Sequence, residues 1–360
     1  MLSKLFSIPS KIIDRRKSKS WKPFSKLILK GDGYDWVLSS ILNEMKQVCN
    51  EIGIDFLKER YFYNIKNQCV YNLSKYDVLL NWRKRDHRIA FPYFHGNPKN
   101  DNNFKLMFDS IKKNHREIDR LHVSHSLMEE MVLDTGIEKN KVFKIPISID
   151  LNLFNPVDTM SQDLSRKKLN IPKSAVVIGS FQKDGIGWGK GFEPKLIKGP
   201  DIFLKTLKTV KNRIPNLFVL LTGPARGYIK KGLEKLSIPY KHLLLNEYSN
   251  ICECFHALDL YLITSREEGG PRAILESMAS GIPLITTRVG QAIDIVKHNE
   301  NGWMVEVEDV DSLAHWVEYV IEKKGLINNI LKSGRKTAEE NCYSAQLPLW
   351  NKFMKGFVNN

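Results

Sequence analysis

From about residue 175 onward the chain alternates short β-branched or leucine-rich runs with stretches whose apolar positions recur every three to four residues. The runs AVVIGSF, NLFVLLTG, HLLLN, LDLYLITS and IPLITT predict strands. The segments GPDIFLKTLKTVKNRI, NICECFHA, RAILESMAS and DVDSLAHWVEYVIEKK predict helices. Gly, Ser, Thr or Asn closes most of the strand runs, residue types that turn a chain and cap the next helix. Strand and helix in alternation imply a parallel sheet with crossover helices, the α/β class. The first half repeats the pattern less cleanly: SKLILKGDGYDWVLSSILNEMKQVCNEI predicts strand, glycine turn and helix, and YDVLLNW, RIAFPYFHG and RLHVSHS predict further strands.

Between the halves, KVFKIPISIDLNLFNPVDTMSQDLSRKKLNIPKS holds three prolines and several turn formers, the composition of a linker. The expected organisation is a first α/β domain over residues 1–158, a linker at 159–172 and a second α/β domain over 173–342. A closing helix at 343–360 carries Leu347, Leu349, Trp350, Phe353 and Met354. No repeat with a period of 20–50 residues interrupts this pattern.

A length of 360 residues suits two domains of common size, and no run approaches the eighteen or so apolar residues that span a bilayer. An integral membrane protein is thereby excluded. The net charge of +15 points to an anionic partner. Basic residues crowd the tail at 1–22, where Lys11, Arg15, Arg16, Lys17 and Lys19 lie near Ile12, Ile13 and Trp21. That tail is either a solvated arm or a peripheral contact with an anionic membrane. It lacks the continuous apolar core of a signal peptide. Arg83, Lys84, Arg85 and Arg88 form a second basic run, either a solvated loop or a contact for an anionic acceptor or headgroup. No aromatic-basic motif of a nucleic-acid module accompanies these charges, so nucleic acid is not an expected partner. Cys49, Cys69, Cys252, Cys254 and Cys342 are odd in number and lack zinc-site spacing, which fits reduced thiols in a cytoplasmic protein.

The richest chemistry lies in REEGGPRAILESMASG, residues 266–281. A strand ends near Ser265, a Gly-Gly-Pro turn follows, and the next helix starts near Pro271 and stops at Gly281. The N–H groups at that helix start form a seat for a diphosphate, and Gly269 and Gly270 let the backbone approach a ligand closely. Glu276, one to two turns inside the helix, can accept hydrogen bonds from a ribose diol, while Glu268 in the loop faces whatever hangs beyond the second phosphate. Acidic residues that merely complement a helix dipole, beside an ordinary Gly-Gly-Pro loop, are the alternative for this stretch alone.

The sequence from Ser265 to Lys323, together with IKGPDIFLKTL, LLTGPARG, ICECFHALDLYLITS and KVFKIPISIDLNLF, resembles the group 1 retaining glycosyltransferases. The E-x7-E pair of that family falls on Glu268 and Glu276. The resemblance covers roughly residues 120–345 and rests on GDGYDWVLSSI and FHG before that. It implies two Rossmann-like domains facing a cleft, the GT-B arrangement, with the nucleotide-sugar donor held mainly by the second. It implies that Glu276 holds the ribose, that Glu268 lies near the transferred sugar, and that Lys183 and Lys198 neutralise the diphosphate. Lys183 stands where arginine is usual and is followed by a long insertion, DGIGWGKGFEPKLI. Pro271 stands where many relatives have glycine, so main-chain contacts fall to Gly270, Arg272 or Ala273. Gly223, in LLTGPARG, joins the donor-binding set. His95 matches a histidine that relatives place near the sugar, or is a satisfied structural residue. Gly31 and Gly33 suit a loop facing phosphate or acceptor, or a plain turn.

The expected function is retaining transfer from a nucleoside-diphosphate sugar to a saccharide or lipid-linked saccharide acceptor in polysaccharide or cell-surface glycan synthesis. The catalytic candidates are Glu268 and His95. No metal or other cofactor is expected, because lysines and helix amides can stabilise the leaving diphosphate, and the DVD string at 309–311 reads as a helix entry. The expected location is cytoplasmic, with peripheral contact at the inner membrane face. A catalytically silent nucleotide-sugar-binding or scaffold protein is the alternative.

Overall fold

The computed structural model describes residues 21–31, 36–59, 66–82 and 86–359. Most of the basic tail, Gly33, and the run Arg83, Lys84 and Arg85 lie outside that set. The chain forms two compact units, Met1–Ile145 with Gln346–Asn360, and Pro146–Ala345. No helix among the described residues is long and apolar enough to cross a membrane.

The first unit is built on β1 (Leu27–Lys30), β2 (Phe56–Glu59), β3 (Cys69–Asn72), β4 (Arg88–Pro92), β5 (Arg120–Val123) and β6 (Val142–Lys144). All pairings are parallel in the order β2-β1-β3-β4-β5-β6. Alternate residues of these strands feed opposite layers. Leu27, Leu29, Cys69 and Tyr71 join one apolar cluster, and Ile89, Phe91, Leu121 and Val123 join another. Tyr71 donates its hydroxyl to His122 Nδ1 at 2.8 Å, and His122 Nε2 donates to the Ile145 carbonyl at 2.8 Å. Burial pushes this imidazole down to about 4, so it is a neutral core residue at ordinary pH.

The second unit holds β7 (Val176–Phe181), β8 (Leu217–Thr222), β9 (Tyr240–Leu243), β10 (Leu260–Ile263), β11 (Leu284–Thr287) and β12 (Trp303–Val305). They pair in parallel in the order β12-β11-β10-β7-β8-β9. Renumbered from its own first strand, this is the 3-2-1-4-5-6 order of a dinucleotide-binding fold, with the direction of winding reversing between β7 and β10. Val219 and Leu221 face one cluster with Leu260 and Leu262, while Phe218 and Leu220 face the other with Tyr261 and Ile263.

Three sequence expectations differ from the fold. YDVLLNW is not a strand: residues Lys75–Leu79 are a helix that buries Val78 and Leu79, and the neighbouring strand is the earlier Cys69–Asn72. Its apolar pair at adjacent positions suits either element, and only packing decides. The chain divides after Ile145, ahead of the 159–172 segment expected as linker, within which Thr159–Lys168 is a helix with an Asp158–Ser161 capping box. From that helix Arg166 reaches Asp259 at 2.6 Å, which ties it to the second unit. The closing helix spans Tyr343–Met354, and residues from Gln346 onward belong to the first unit. There Trp350 packs edge-on against Tyr71 and His122, with centroids 6.3 and 4.9 Å away. Arg88, from the basic run, donates to the Phe357 carbonyl and the Asn359 side chain, so its charge serves this closure.

Because Trp350 is 1% exposed within that cluster, Trp350→Ala is expected to cost about 3–5 kcal/mol of stability. Urea denaturation followed by circular dichroism checks this, and a cost under about 1 kcal/mol contradicts the packing.

Candidate functional site

The crevice of an open α/β sheet lies beyond the carboxyl ends of its strands, where the order reverses and the two flanking loops diverge. In the second unit that point is β7/β10. Lys183 follows β7 by two residues, and Ser265 to Gly270 follow β10. Two segments far apart in sequence therefore meet because of strand order.

Glu268 lies at the centre of this meeting. Lys198 Nζ is 2.5 Å from one carboxylate oxygen, and the Ser265 hydroxyl donates to the other at 2.8 Å. Lys198 ends a short 3-10 turn, Leu196–Lys198, before the helix Pro200–Val210. The junction requires glycine: Gly199 has φ +61°, and a Cβ there would lie 1.8 Å from the Thr264 carbonyl oxygen. The Thr264 hydroxyl donates to the Gly199 carbonyl at 2.8 Å, and Arg266 grips Asp201 with two 2.8 Å bonds, so the lysine turn and the glutamate loop are fastened together.

The helix after the loop spans Arg272–Ala279, with Pro271 as its N-cap and no side-chain cap. The N–H groups of Arg272 and Ala273 have no acceptor inside the helix, and Pro271 contributes none. Gly269 and Gly270 are held close to their own chain: a Cβ on Gly270 would meet Ile147 Cδ1 at 2.8 Å and Gln291 Oε1 at 2.9 Å, and one on Gly290 would meet the Gly269 backbone at 2.9 Å. Glu276, the fifth residue of the helix, is 3% exposed and accepts a hydrogen bond from the Tyr248 hydroxyl. Burial pushes its carboxyl up to about 7 despite the opposing Tyr248 bond and the Arg272 charge. Burial and the Glu276 charge in turn push the Tyr248 phenol far above its usual range.

The other candidates are placed less uniformly. Lys183 sets its ammonium 3.8 Å from the Trp188 ring centroid. Gly223 follows β8 with φ +88°, and its missing side chain makes room for the Gln182 carbonyl, 2.9 Å from where a Cβ would sit. Gly31 and His95 belong to the first unit. A Cβ on Gly31 would strike Leu73 Cδ1 at 2.5 Å, so glycine there answers a close approach of the chain to itself. His95 accepts a bond from the Lys75 ammonium at its carbonyl and packs edge-on against Phe104, with ring centroids 5.9 Å apart. Asp309 caps the helix Val310–Glu322 by accepting from Ser312 N at 2.9 Å, in agreement with DVD as a helix entry. Cys254 is buried in the core, and the Cys252 thiol donates to the Leu153 carbonyl. Tyr248 and Ser265 are the polar partners that sequence reasoning missed. Ser265 stood in the quoted strand end, but nothing in the spacing of Tyr248 linked it to Glu276, 28 residues on.

The charged and titratable groups facing Glu276 are Tyr248 and Arg272, with Cys252 on the helix Ile251–His256 and Tyr261 on β10. A folded carboxyl at about 7 against an unfolded value near 4.5 means that the native state holds the extra proton between those values. Stability is therefore lost as pH rises through that window. Glu276→Gln removes the titration. Its stability relative to wild type is expected to rise by roughly 2–3 kcal/mol between pH 5 and pH 8. Urea melts at several pH values measure this, and a flat difference places the carboxyl at an ordinary value.

Residues 192–337 match the family model described as glycosyl transferases group 1. The chain is 27% identical over 153 residues to N-acetyl-alpha-D-glucosaminyl L-malate synthase of Bacillus anthracis, covering 42% of this chain and 40% of that one. It is 26% identical to the UDP-Gal:alpha-D-GlcNAc-diphosphoundecaprenol alpha-1,3-galactosyltransferase of Escherichia coli, covering 66% and 56%. The chain thus spans about half the length of these curated relatives. Among solved structures, Anabaena HepE in complex with UDP and glucose has a TM-score of 0.73 at 15% identity, covering 92% of this chain and 100% of that one. A glycosyltransferase from Rickettsia africae has a TM-score of 0.68 at 15% identity, covering 94% and 100%. The two parallel α/β units thus have the GT-B fold of these neighbours, and over residues 192–337 the chain is similar to the group 1 glycosyl transferases.

Proposed function

We propose that the protein is a retaining glycosyltransferase that moves a sugar from a nucleoside diphosphate to a saccharide or lipid-linked saccharide in cell-surface glycan synthesis. The observation that carries this reading is the Lys198–Glu268–Ser265 constellation beside the helix start at Arg272, with Glu276 buried one turn deeper. Cations and amides suit a diphosphate, and a deep carboxylate suits a diol. UDP is the first nucleotide to try, since HepE was solved with UDP and the Escherichia coli relative is named for UDP-Gal.

In the proposed reaction the bond between anomeric carbon and diphosphate oxygen breaks, and a bond to the acceptor hydroxyl oxygen forms on the same face of the sugar. The acceptor proton passes to the leaving diphosphate. Lys183, Lys198 and the N–H groups of Arg272 and Ala273 stabilise the negative charge that develops there, in place of a metal. Glu268, fixed by Lys198 and Ser265, faces the sugar, and Glu276 receives the ribose hydroxyls in its ionised form. Gly269, Gly270 and Gly223 keep the loop backbones close to that ligand. Acceptor recognition is assigned to the first unit, with His95 after its fourth strand and the loop at Gly31. Peripheral contact with an anionic membrane is part of the same proposal.

Incubation with UDP-sugars and saccharide or lipid-linked acceptors is expected to give a product with the donor's anomeric configuration, read by NMR. Activity should persist in EDTA. Glu276→Ala is expected to weaken nucleotide binding, and Glu268→Gln to lower kcat roughly a hundredfold with little change in nucleotide affinity. Inverted product contradicts the mechanism, and binding without turnover across a donor panel favours a silent nucleotide-sugar binder.

A further inference from the structure

The insertion after Lys183 interrupts the expected spacing of the phosphate-binding residues, yet it does not push them apart. Residues 184–195 leave the carboxyl end of β7 and fold back as an antiparallel hairpin. Ile186 N donates to the Glu193 carbonyl at 2.9 Å, Lys195 N donates to the Asp184 carbonyl at 2.8 Å, and Gly185 bridges Pro194. The ladder sets the two feet side by side, with Lys183 next to one and Lys195 at the other. Lys198 N then donates to the Lys195 carbonyl at 2.8 Å, so the returning strand runs straight into the lysine turn.

The hairpin is built in. Its carbonyls at Lys190 and Gly191 accept from Gly227 N and Tyr228 N, both at 2.8 Å, and so occupy the start of the helix Gly227–Lys235. Gly191 has φ +70°, and a Cβ there would lie 2.1 Å from the Ala225 carbonyl oxygen. At the base, Asp184 lies 3.1 Å from Arg226, both side chains being about 1% exposed or less. That guanidinium also donates to the carbonyls of Ser180, Gln182 and Thr222. Trp188 at the far end is 67% exposed and carries the Lys183 ammonium over its ring.

We propose that this hairpin is a clip which makes Lys195 a third phosphate-binding cation beside Lys183 and Lys198. The inference rests on the reading of the second unit as a diphosphate-binding site. Lys195 is half-buried, and burial, followed by the charge of Lys198, lowers its pKa, with Lys183 acting in the same direction and Glu268 against it. Like charges held together on a rigid support repel one another until an anion arrives. A diphosphate supplies that anion, and its second phosphate carries the extra charge that a monophosphate lacks.

The test is calorimetry on the full chain. The tightest binder among UDP, GDP, dTDP and ADP is compared with its own monophosphate, at low and moderate salt. Lys195→Met is expected to weaken the diphosphate about tenfold or more while changing the monophosphate much less, and to flatten the salt dependence. Lys195→Arg should restore both. Unchanged diphosphate affinity in Lys195→Met overturns the clip, and so does an equal loss for the mono- and diphosphate, which marks a structural role. Failure of wild-type protein to bind any of the four nucleotides overturns the underlying functional reading as well, and so is distinguished from failure of the clip alone.

Discussion

The constraint behind the second unit is that a fully parallel sheet must bury both faces. Each strand then needs a crossover helix before the next can be laid down. Winding outward from β7 in one direction and restarting at β10 in the other leaves one place where two neighbouring strands send their loops to opposite sides. Lys183 and Glu268 stand at that place because they follow β7 and β10. Neither local propensity nor charge brings them there. The site is a consequence of strand order.

Around this crevice the chain has placed polar groups at a cost to stability. Glu276 is buried where its carboxyl is pushed up to about 7, and its Tyr248 bond offsets only part of the desolvation. Arg226 and Asp184 are buried at the base of the hairpin, where burial lowers the one pKa and raises the other. Such pairs contribute little net stability, but removing one partner strands the other in an apolar setting. Their use is positional: they hold the loops after β7 and β8 at fixed separation, much as Arg266 and Asp201 do for the loops that carry Glu268 and Lys198. These pairs thereby fix the loops on which Lys183, Lys198 and Glu268 stand.

Much of the second unit was legible beforehand because its strands are short apolar runs bounded by turn formers and its helices carry a clean apolar stripe. LDLYLITS and RAILESMAS fell almost on their final boundaries. HLLLN did not: the strand is Tyr240–Leu243, two residues earlier, because pairing with β8 and not hydrophobicity sets its register. YDVLLNW misled for a related reason, since a five-residue helix carries too few turns to show its period. The 159–172 segment looked like a linker because prolines flank it. Its helix is polar apart from a few positions, and only the Arg166–Asp259 pair and neighbouring contacts attach it to the second unit.

The sequence by itself determined the α/β class, the parallel crossover pattern, the loop-to-helix junction at Pro271 and the relative depths of Glu268 and Glu276, since these follow from spacings of a few residues. Tertiary structure alone decided that Tyr248 binds Glu276, that Lys198 and Ser265 share Glu268, and that the insertion after Lys183 returns to set Lys195 beside it. Apart from Ser265, three residues before Glu268 in the same loop, those contacts join residues on separate turns and helices or on the two arms of a hairpin. Sheet order and ladder register bring them together, and neither is encoded in any local period of the chain.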